Sequence, residues 1–318
     1  MKNPVDLGYD LTLIDLYDLS LEQRTGAYVF DEEDLTIIET SASPSIPFLL
    51  KGLEMMQLDP KDIKYIIVTH IHLDHAGGVG LLIEKCPNAK VIVHPRGKKH
   101  LADPTKLIQG AREVYGETFD SLFDPILPVP KQQLMTMEDG ETLQIGKDRL
   151  LTFYDTPGHA KHHFSIHDSK SNGIFTGDTI GVLYPQTRND GFDLVLPSTS
   201  PNQFDPDSMM QSLEKIEGLG VDRVYFGHFG MSTEPETVYQ QIRHWLPLFV
   251  EAGEKVNEEM DGASMIQKSK AVSEELYQLV GKYLFEKGLS DDHEVYSYMK
   301  VDLQVCGMGI VDYLEKKK

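Results

Sequence analysis

The sequence predicts an α/β layered fold with a helical C-terminal segment, and three observations predict it. Residues 35 to 94 alternate between β-rich and helical patterning, which indicates strands and helices in separate layers. Strand-like segments return between residues 142 and 178. From Glu234 onward the patterning is helical throughout.

Taken in order, the short β-rich segments LTLIDLYDL, GAYVFD and LTIIETS come first, each broken by acidic or small residues as expected at sheet edges and turns. SIPFLLKGLEMMQL follows, with apolar residues at helical spacing behind Ser45 and Pro47, and it stops at DPKD. KYIIVTH is a buried strand, GVGLLIEKC a helix and AKVIVHP a further strand. Prolines 104, 125, 128 and 130 mark residues 101 to 135 as a loop or partly helical insertion over the sheet. TLQIG, RLLTFYDT, HHFSIHD and NGIFTGD read as strands, the last two as a hairpin around SKSNG. Residues 181 to 206 are dense in turn-forming dipeptides and read as a second irregular segment. The helix SMMQSLEKIEGL and the strand DRVYFGH close residues 1–233, and residues 234–318 read as a helical extension packed on that core.

Fifty acidic side chains against thirty basic ones give a net charge of -20, which repels phosphate backbones and excludes nucleic acid as the expected partner. No apolar run approaches about eighteen residues, so no membrane span is expected. The N-terminus shows no basic flank before an apolar block, and the two cysteines stand far apart, which together predict a cytoplasmic protein. Cys86 and Cys306 are read as small apolar core residues, and Met55, Met56, Met209 and Met210 as helix residues at core-like positions.

The chemistry is concentrated in THIHLDHAGG, residues 69 to 78, directly after the buried strand. Imidazole and carboxylate together suit a borderline divalent ion such as zinc. His70 and His72 are one residue apart, so in an extended segment they project to one side and can share a metal. Asp74 and His75 turn towards a second position. Four ligands from six residues strain a single tetrahedral ion, which makes two adjacent metals the economical reading, and Gly77 and Gly78 allow a tight turn afterwards. Three later turns each offer one more ligand at a strand end: His159 in TPGHAKHH, Asp178 in FTGDT and His228 in YFGHFG.

In these ordered motifs, H-x-H-x-D-H and then P-G-H, G-D and G-H, the chain resembles the hydrolytic members of the metallo-β-lactamase superfamily over about residues 9 to 231. The finer text, from GLEMMQLDPKDIKYIIVTHIHLDHAGG to FTGDTIGVLYP, is similar to a subgroup of archaeal and bacterial hydrolases with a helical C-terminal tail. The resemblance implies a four-layer α/β/β/α sandwich with the helical C-terminal extension closing over part of the cleft. It further implies that His70, His72 and His159 hold a first metal, that Asp74, His75 and His228 hold a second, and that Asp178 bridges the two. The ions are expected to be zinc, with iron, manganese or cobalt accepted by the same ligands. A hydroxide held between them is the implied nucleophile, with Asp74 orienting it and moving its proton. The flavodiiron branch, by contrast, has a glutamate where this chain has His72.

Two residues complete the expected catalytic set. His163 would support a ligand through a hydrogen bond, and the Tyr184 phenol would donate to a substrate oxygen. His162 is read as weaker, and His94 and Arg96 as structural. The expected reaction is hydrolysis of a small ester, lactone or thioester. A phosphodiesterase and a non-haem iron redox protein are the alternatives. The expected partner is a small-molecule substrate. Apolar repeats in VSEELYQLVGKYLF and YMKVDLQVCGMGIVDYL fit a homodimer as well as packing on the chain itself.

Overall fold

The computed structural model describes residues 2–317. Strands β1 (Val5–Asp6), β2 (Leu11–Asp15), β3 (Gly26–Phe30) and β4 (Thr36–Ile38) are followed by helix α1 (Ile46–Met55) and β5 (Tyr65–Ile67). Helices α2 (Leu73–Ala76) and α3 (Val79–Ile83), β6 (Lys90–Val93), α4 (Lys98–Ala102), α5 (Thr105–Tyr115), α6 (Phe119–Phe123) and β7 (Leu134–Thr136) come next. Then come β8 (Thr142–Gly146), β9 (Arg149–Asp155), β10 (Phe164–Asp168), β11 (Gly173–Phe175), β12 (Val182–Tyr184) and β13 (Leu194–Leu196). The chain ends through α7 (Pro206–Glu217), β14 (Arg223–Tyr225), β15 (Met231–Ser232), α8 (Pro235–Glu259), α9 (Met265–Glu286) and α10 (Val295–Lys316).

The chain divides into two compact units, the first comprising residues up to Asp155, His162–Gly177 and Val221–Thr233. It holds a seven-stranded sheet in the order β1 to β7 and a six-stranded sheet in the order β15-β14-β11-β10-β9-β8. Pairing in the first sheet is antiparallel from β1 to β4 and parallel from β4 to β7. Alternation of side chains along each strand builds two cores. Ile37, Ile66 and Val91 face Ile46, Leu49, Leu53, Val79 and Leu82 of the helices. Their neighbours Ile38, Ile67 and Ile92 face Phe153, Phe164, Ile166 and Phe175 of the second sheet. Each such isoleucine stabilises the fold by about 1.5–3 kcal/mol through burial. Helices, sheet and sheet therefore stack in that order within this unit.

The predicted hairpin around SKSNG is present, with Asp168 opposite Gly173 in antiparallel register. Behind it, Arg149 is fully buried and its guanidinium donates to both oxygens of buried Asp168, at 2.9 and 3.1 Å. Met55 departs from the core-like expectation and is 38% exposed. It lies about 200° around α1 from Leu53, off the inward stripe that Ile46, Leu49 and Leu53 form, whereas Met209 of α7 is fully buried.

The second unit comprises Thr156–Lys161, Asp178–Gly220 and the chain from Glu234 on. The helical segment thus shares a unit with α7 and with residues 178 to 220. Residues 181 to 206 are more ordered than their turn-rich composition indicates, since β12 and β13 pair antiparallel with Val182 opposite Leu196. The Gln241 side chain of α8 fixes this ribbon, accepting from the Val195 amide and donating to the Asp193 carbonyl, both at 2.9 Å. Helices α8, α9 and α10 pack closely through glycines: a Cβ on Gly307 would lie 2.5 Å from the Ser269 carbonyl of α9. The apolar repeats of α9 and α10, including Leu276, Val280, Leu284, Leu303 and Ile310, are buried within the chain itself. Among the described residues no helix is long and apolar enough to cross a membrane.

Candidate metal centre

Strand β5 delivers the histidine motif. Val68 continues its pairing by donating to the Ile92 carbonyl, and Thr69 then turns away to donate its amide to Glu39. His70 follows, wholly buried, with its Nδ1 3.1 Å from the Thr69 hydroxyl. His72 has extended backbone and precedes α2, the helical turn that carries Asp74 and His75. This turn brings the rings of His70 and His75 to 4.1 Å, while the rings of His70 and His72 lie 4.6 Å apart.

Asp74, His75 and His228 come together in the first unit with their ligand atoms within 4.8 Å of one another. His75 Nε2 is 3.8 Å and His228 Nε2 3.6 Å from Asp74 Oδ2. Those spacings are too long for hydrogen bonds. They approach the roughly 3.3 Å edge of a tetrahedron with metal–ligand bonds near 2.0 Å. The donor set therefore fits a shared divalent cation. Its tautomer fits as well: the Glu39 carboxylate lies 3.0 Å from His75 Nδ1, so that nitrogen carries the proton and Nε2 keeps the lone pair. Both histidines are nearly inaccessible, but the Asp74 side chain is 25% exposed.

The turn carrying His228 is shaped by packing. The Tyr28 hydroxyl lies 2.7 Å from the Phe226 carbonyl and 2.6 Å from that of Gly230. Gly227 is required where it stands, because a Cβ there would meet His75 Cε1 at 2.7 Å. Asp18, fully buried and 3.1 Å from Arg24 Nε, is the further charge near this group. Burial pushes its carboxyl above the usual range, Arg24 opposes that, and the Asp74 and His228 charges act on it in opposite senses.

In the second unit, His159 and Asp178 approach each other, with Nε2 and Oδ2 3.7 Å apart. The Ser198 carbonyl lies 2.9 Å from His159 Nδ1, and the Ser198 hydroxyl donates to Asp178 Oδ2 at 3.0 Å. Here too the proton is placed on Nδ1 and the lone pair on Nε2.

His163 is fully buried in the first unit with its ring 5.0 Å from that of His70. His162, buried as well, has its ring 5.3 Å from His72. The Tyr184 phenol, 3% exposed, donates to Asp302 of α10 at 2.8 Å. His94 has both nitrogens engaged, Nε2 with Asp155 at 3.0 Å and Nδ1 with the Arg96 amide at 3.2 Å. Glu39, Asp18 and Ser198 escaped the sequence reading. Only Glu39 carried a signal there, as an acidic residue ending an otherwise apolar strand.

Residues 23–228 match the model of the Metallo-beta-lactamase superfamily. The chain is 30% identical over 223 residues to the metallo-beta-lactamase fold-containing protein ST1585 of Sulfurisphaera tokodaii, covering 69% of this chain and 77% of that one. The crystal structure of ST1585 from Sulfolobus tokodaii superposes with a TM-score of 0.61 and 26% identity, covering 74% of this chain and 85% of that one. A 130-residue stretch is 32% identical to rubredoxin-oxygen oxidoreductase of Megalodesulfovibrio gigas, covering 41% of this chain and 26% of that protein. An N-acyl homoserine lactonase of Azorhizobium caulinodans is 27% identical over 178 residues, 55% of this chain and 62% of the lactonase.

Proposed function

This chain belongs to the metallo-β-lactamase superfamily and has its mixed α/β fold, and from that premise we propose a dinuclear metal-dependent hydrolase of small esters, lactones or thioesters. The observation that carries the reading is the contrast within the Asp74 group. A structural ion is closed off by four ligands, usually with cysteine, whereas a catalytic one keeps a position open to solvent. His75 and His228 are buried, and solvent reaches the group at Asp74.

By the motif order of the superfamily, His70, His72 and His159 would hold one ion, Asp74, His75 and His228 the other, and Asp178 both. Zinc ions there would supply a water of lowered pKa and a Lewis acid for the scissile carbonyl. The chain's own residues have definite tasks. Glu39 and Ser198 hold the His75 and His159 rings in the ligating tautomer. The partly exposed Asp74 carboxylate can accept a proton at Oδ2 and pass it to the leaving group. His163 would act by packing beside His70. The phenol of Tyr184 would reach a substrate only by giving up Asp302.

A lactone, a thioester and a bis-aryl phosphate assayed side by side test the substrate class, with and without chelator. Chelator-sensitive turnover of a carboxyl-type substrate is expected, and turnover of the phosphodiester alone would replace that class with the phosphoryl one. The oxidoreductase match motivates a second reading, an iron-dependent redox protein. Its discriminating result is stoichiometric iron with a visible absorption band in aerobically grown protein, and full hydrolytic activity with zinc alone excludes it.

A further inference from the structure

We infer that Ser198 is a positioning residue for His159 and Asp178, and that α10 holds Ser198 in place, so that the C-terminal helix is part of the apparatus that presents these two ligands. The inference rests on the proposed role of His159 and Asp178 as metal ligands.

One short segment, Pro197 to Asn202, touches both side chains. The Ser198 carbonyl is 2.9 Å from His159 Nδ1, its hydroxyl donates to Asp178 Oδ2 at 3.0 Å, and the Ser200 hydroxyl donates to the His159 carbonyl at 2.9 Å. Three bonds from two residues, Ser198 and Ser200, fix the ring plane, the tautomer and one carboxylate oxygen together. This segment belongs to no helix or strand, so its position must be set from outside.

Helix α10 sets it along one face. The Thr199 hydroxyl donates to the Cys306 carbonyl at 2.9 Å, and the Cys306 thiol donates to the Pro197 carbonyl at 3.5 Å. Asp312 accepts the Asn202 amide and Lys316 donates to the Asn202 carbonyl, each at 2.9 Å. Between them Gly309 lies directly against the segment's backbone. A Cβ there would stand 2.5 Å from the Thr199 carbonyl oxygen and 2.8 Å from the Ser200 carbonyl carbon. Positions 306, 309, 312 and 316 follow helical spacing, so a single face of α10 grips the whole segment. Any side chain at 309 must push Thr199 away, and Ser198 moves with it.

The test measures zinc affinity by chelator competition on the full-length protein, alongside the melting temperature of the metal-free form. Ser198→Ala and Gly309→Ala are expected to weaken zinc binding about 10–100-fold, the range for residues that orient a metal ligand. Ser198→Thr, which keeps the hydroxyl that donates to Asp178, should restore most of the loss. The metal-free melting temperature of Ser198→Ala should stay at the wild-type value, which separates positioning from a general loss of fold. A metal-independent readout is the His159 Nδ1 proton, observable by nitrogen-15 NMR and expected to exchange faster in Gly309→Ala, which displaces the Ser198 carbonyl. Should Gly309→Ala fail to fold, Ser198→Ala still decides the first half of the inference. Wild-type zinc affinity in Ser198→Ala and Gly309→Ala would overturn it while His159→Ala and Asp178→Ala bind weakly. If those two ligand variants also bind zinc like wild type, the metal assignment itself falls.

Discussion

Glu39 directly follows β4 with φ at 71°, a left-handed conformation that a non-glycine residue adopts at a cost. Its carboxylate has two partners that offset this, the Thr69 amide at 2.9 Å and His75 Nδ1 at 3.0 Å. Glu39→Ala should therefore weaken zinc binding about 10–100-fold, measured by chelator competition, and unchanged affinity would remove the role. The sequence shows an acid at a strand end but not its partner, because the contact spans 36 residues and depends on parallel pairing of β4 with β5. His70, His72, Asp74 and His75 could be read together as a candidate group because their spacing is local. Cys86 was legible too, as a buried core residue. Burial pushes its thiol from 9.0 up to about 12, so the folded form favours the neutral thiol. That contribution is complete below pH 9 and is lost as pH rises towards 12. Cys86→Ala should accordingly lose less stability between pH 9 and 11 than wild type in urea titrations, and coincident profiles would contradict this.

At the scale of elements, the strands were legible because side chains alternate between two cores, as Ile66 and Ile67 show. The ribbon of β12 and β13 was not, since its residues carry turn chemistry and the hydrogen bonds that order it come from Gln241 of α8. The insertion at residues 101 to 135 resolves into α4, α5 and α6, whose Phe119 and Phe123 pack on Ala42 and Leu73 beside the histidine motif. Pro104 marks the break between α4 and α5, and Pro125, Pro128 and Pro130 lie in the stretch after α6. The turn after β11 shows why FTGD needs glycine: Gly177 has φ of 46°, and a Cβ there would lie 2.5 Å from both His163 Nε2 and the Thr69 hydroxyl. Gly177→Ala should cost about 1–3 kcal/mol from backbone strain alone, read as a lower urea midpoint. A midpoint at or above wild type would show that the turn relaxes freely.

For the molecule as a whole, the charge of -20 repels a polyanionic partner, which agrees with the small substrate of the proposed function. Sequence order picked out three later turns as candidate ligand positions because glycine stands directly before His159, Asp178 and His228 after a strand. What order did not reveal is the company those turns keep. The helical segment reads as an extension, yet its last helix grips the Ser198 segment that holds His159 and Asp178. The central claim is that seven residues present two divalent ions. It is tested most directly by the metal content of the purified protein and of Asp178→Ala, determined by inductively coupled plasma mass spectrometry after dialysis against zinc. Two equivalents per chain are predicted for wild type and fewer than two for the variant, whereas an absence of bound metal, or a variant that retains the wild-type content, would contradict the account.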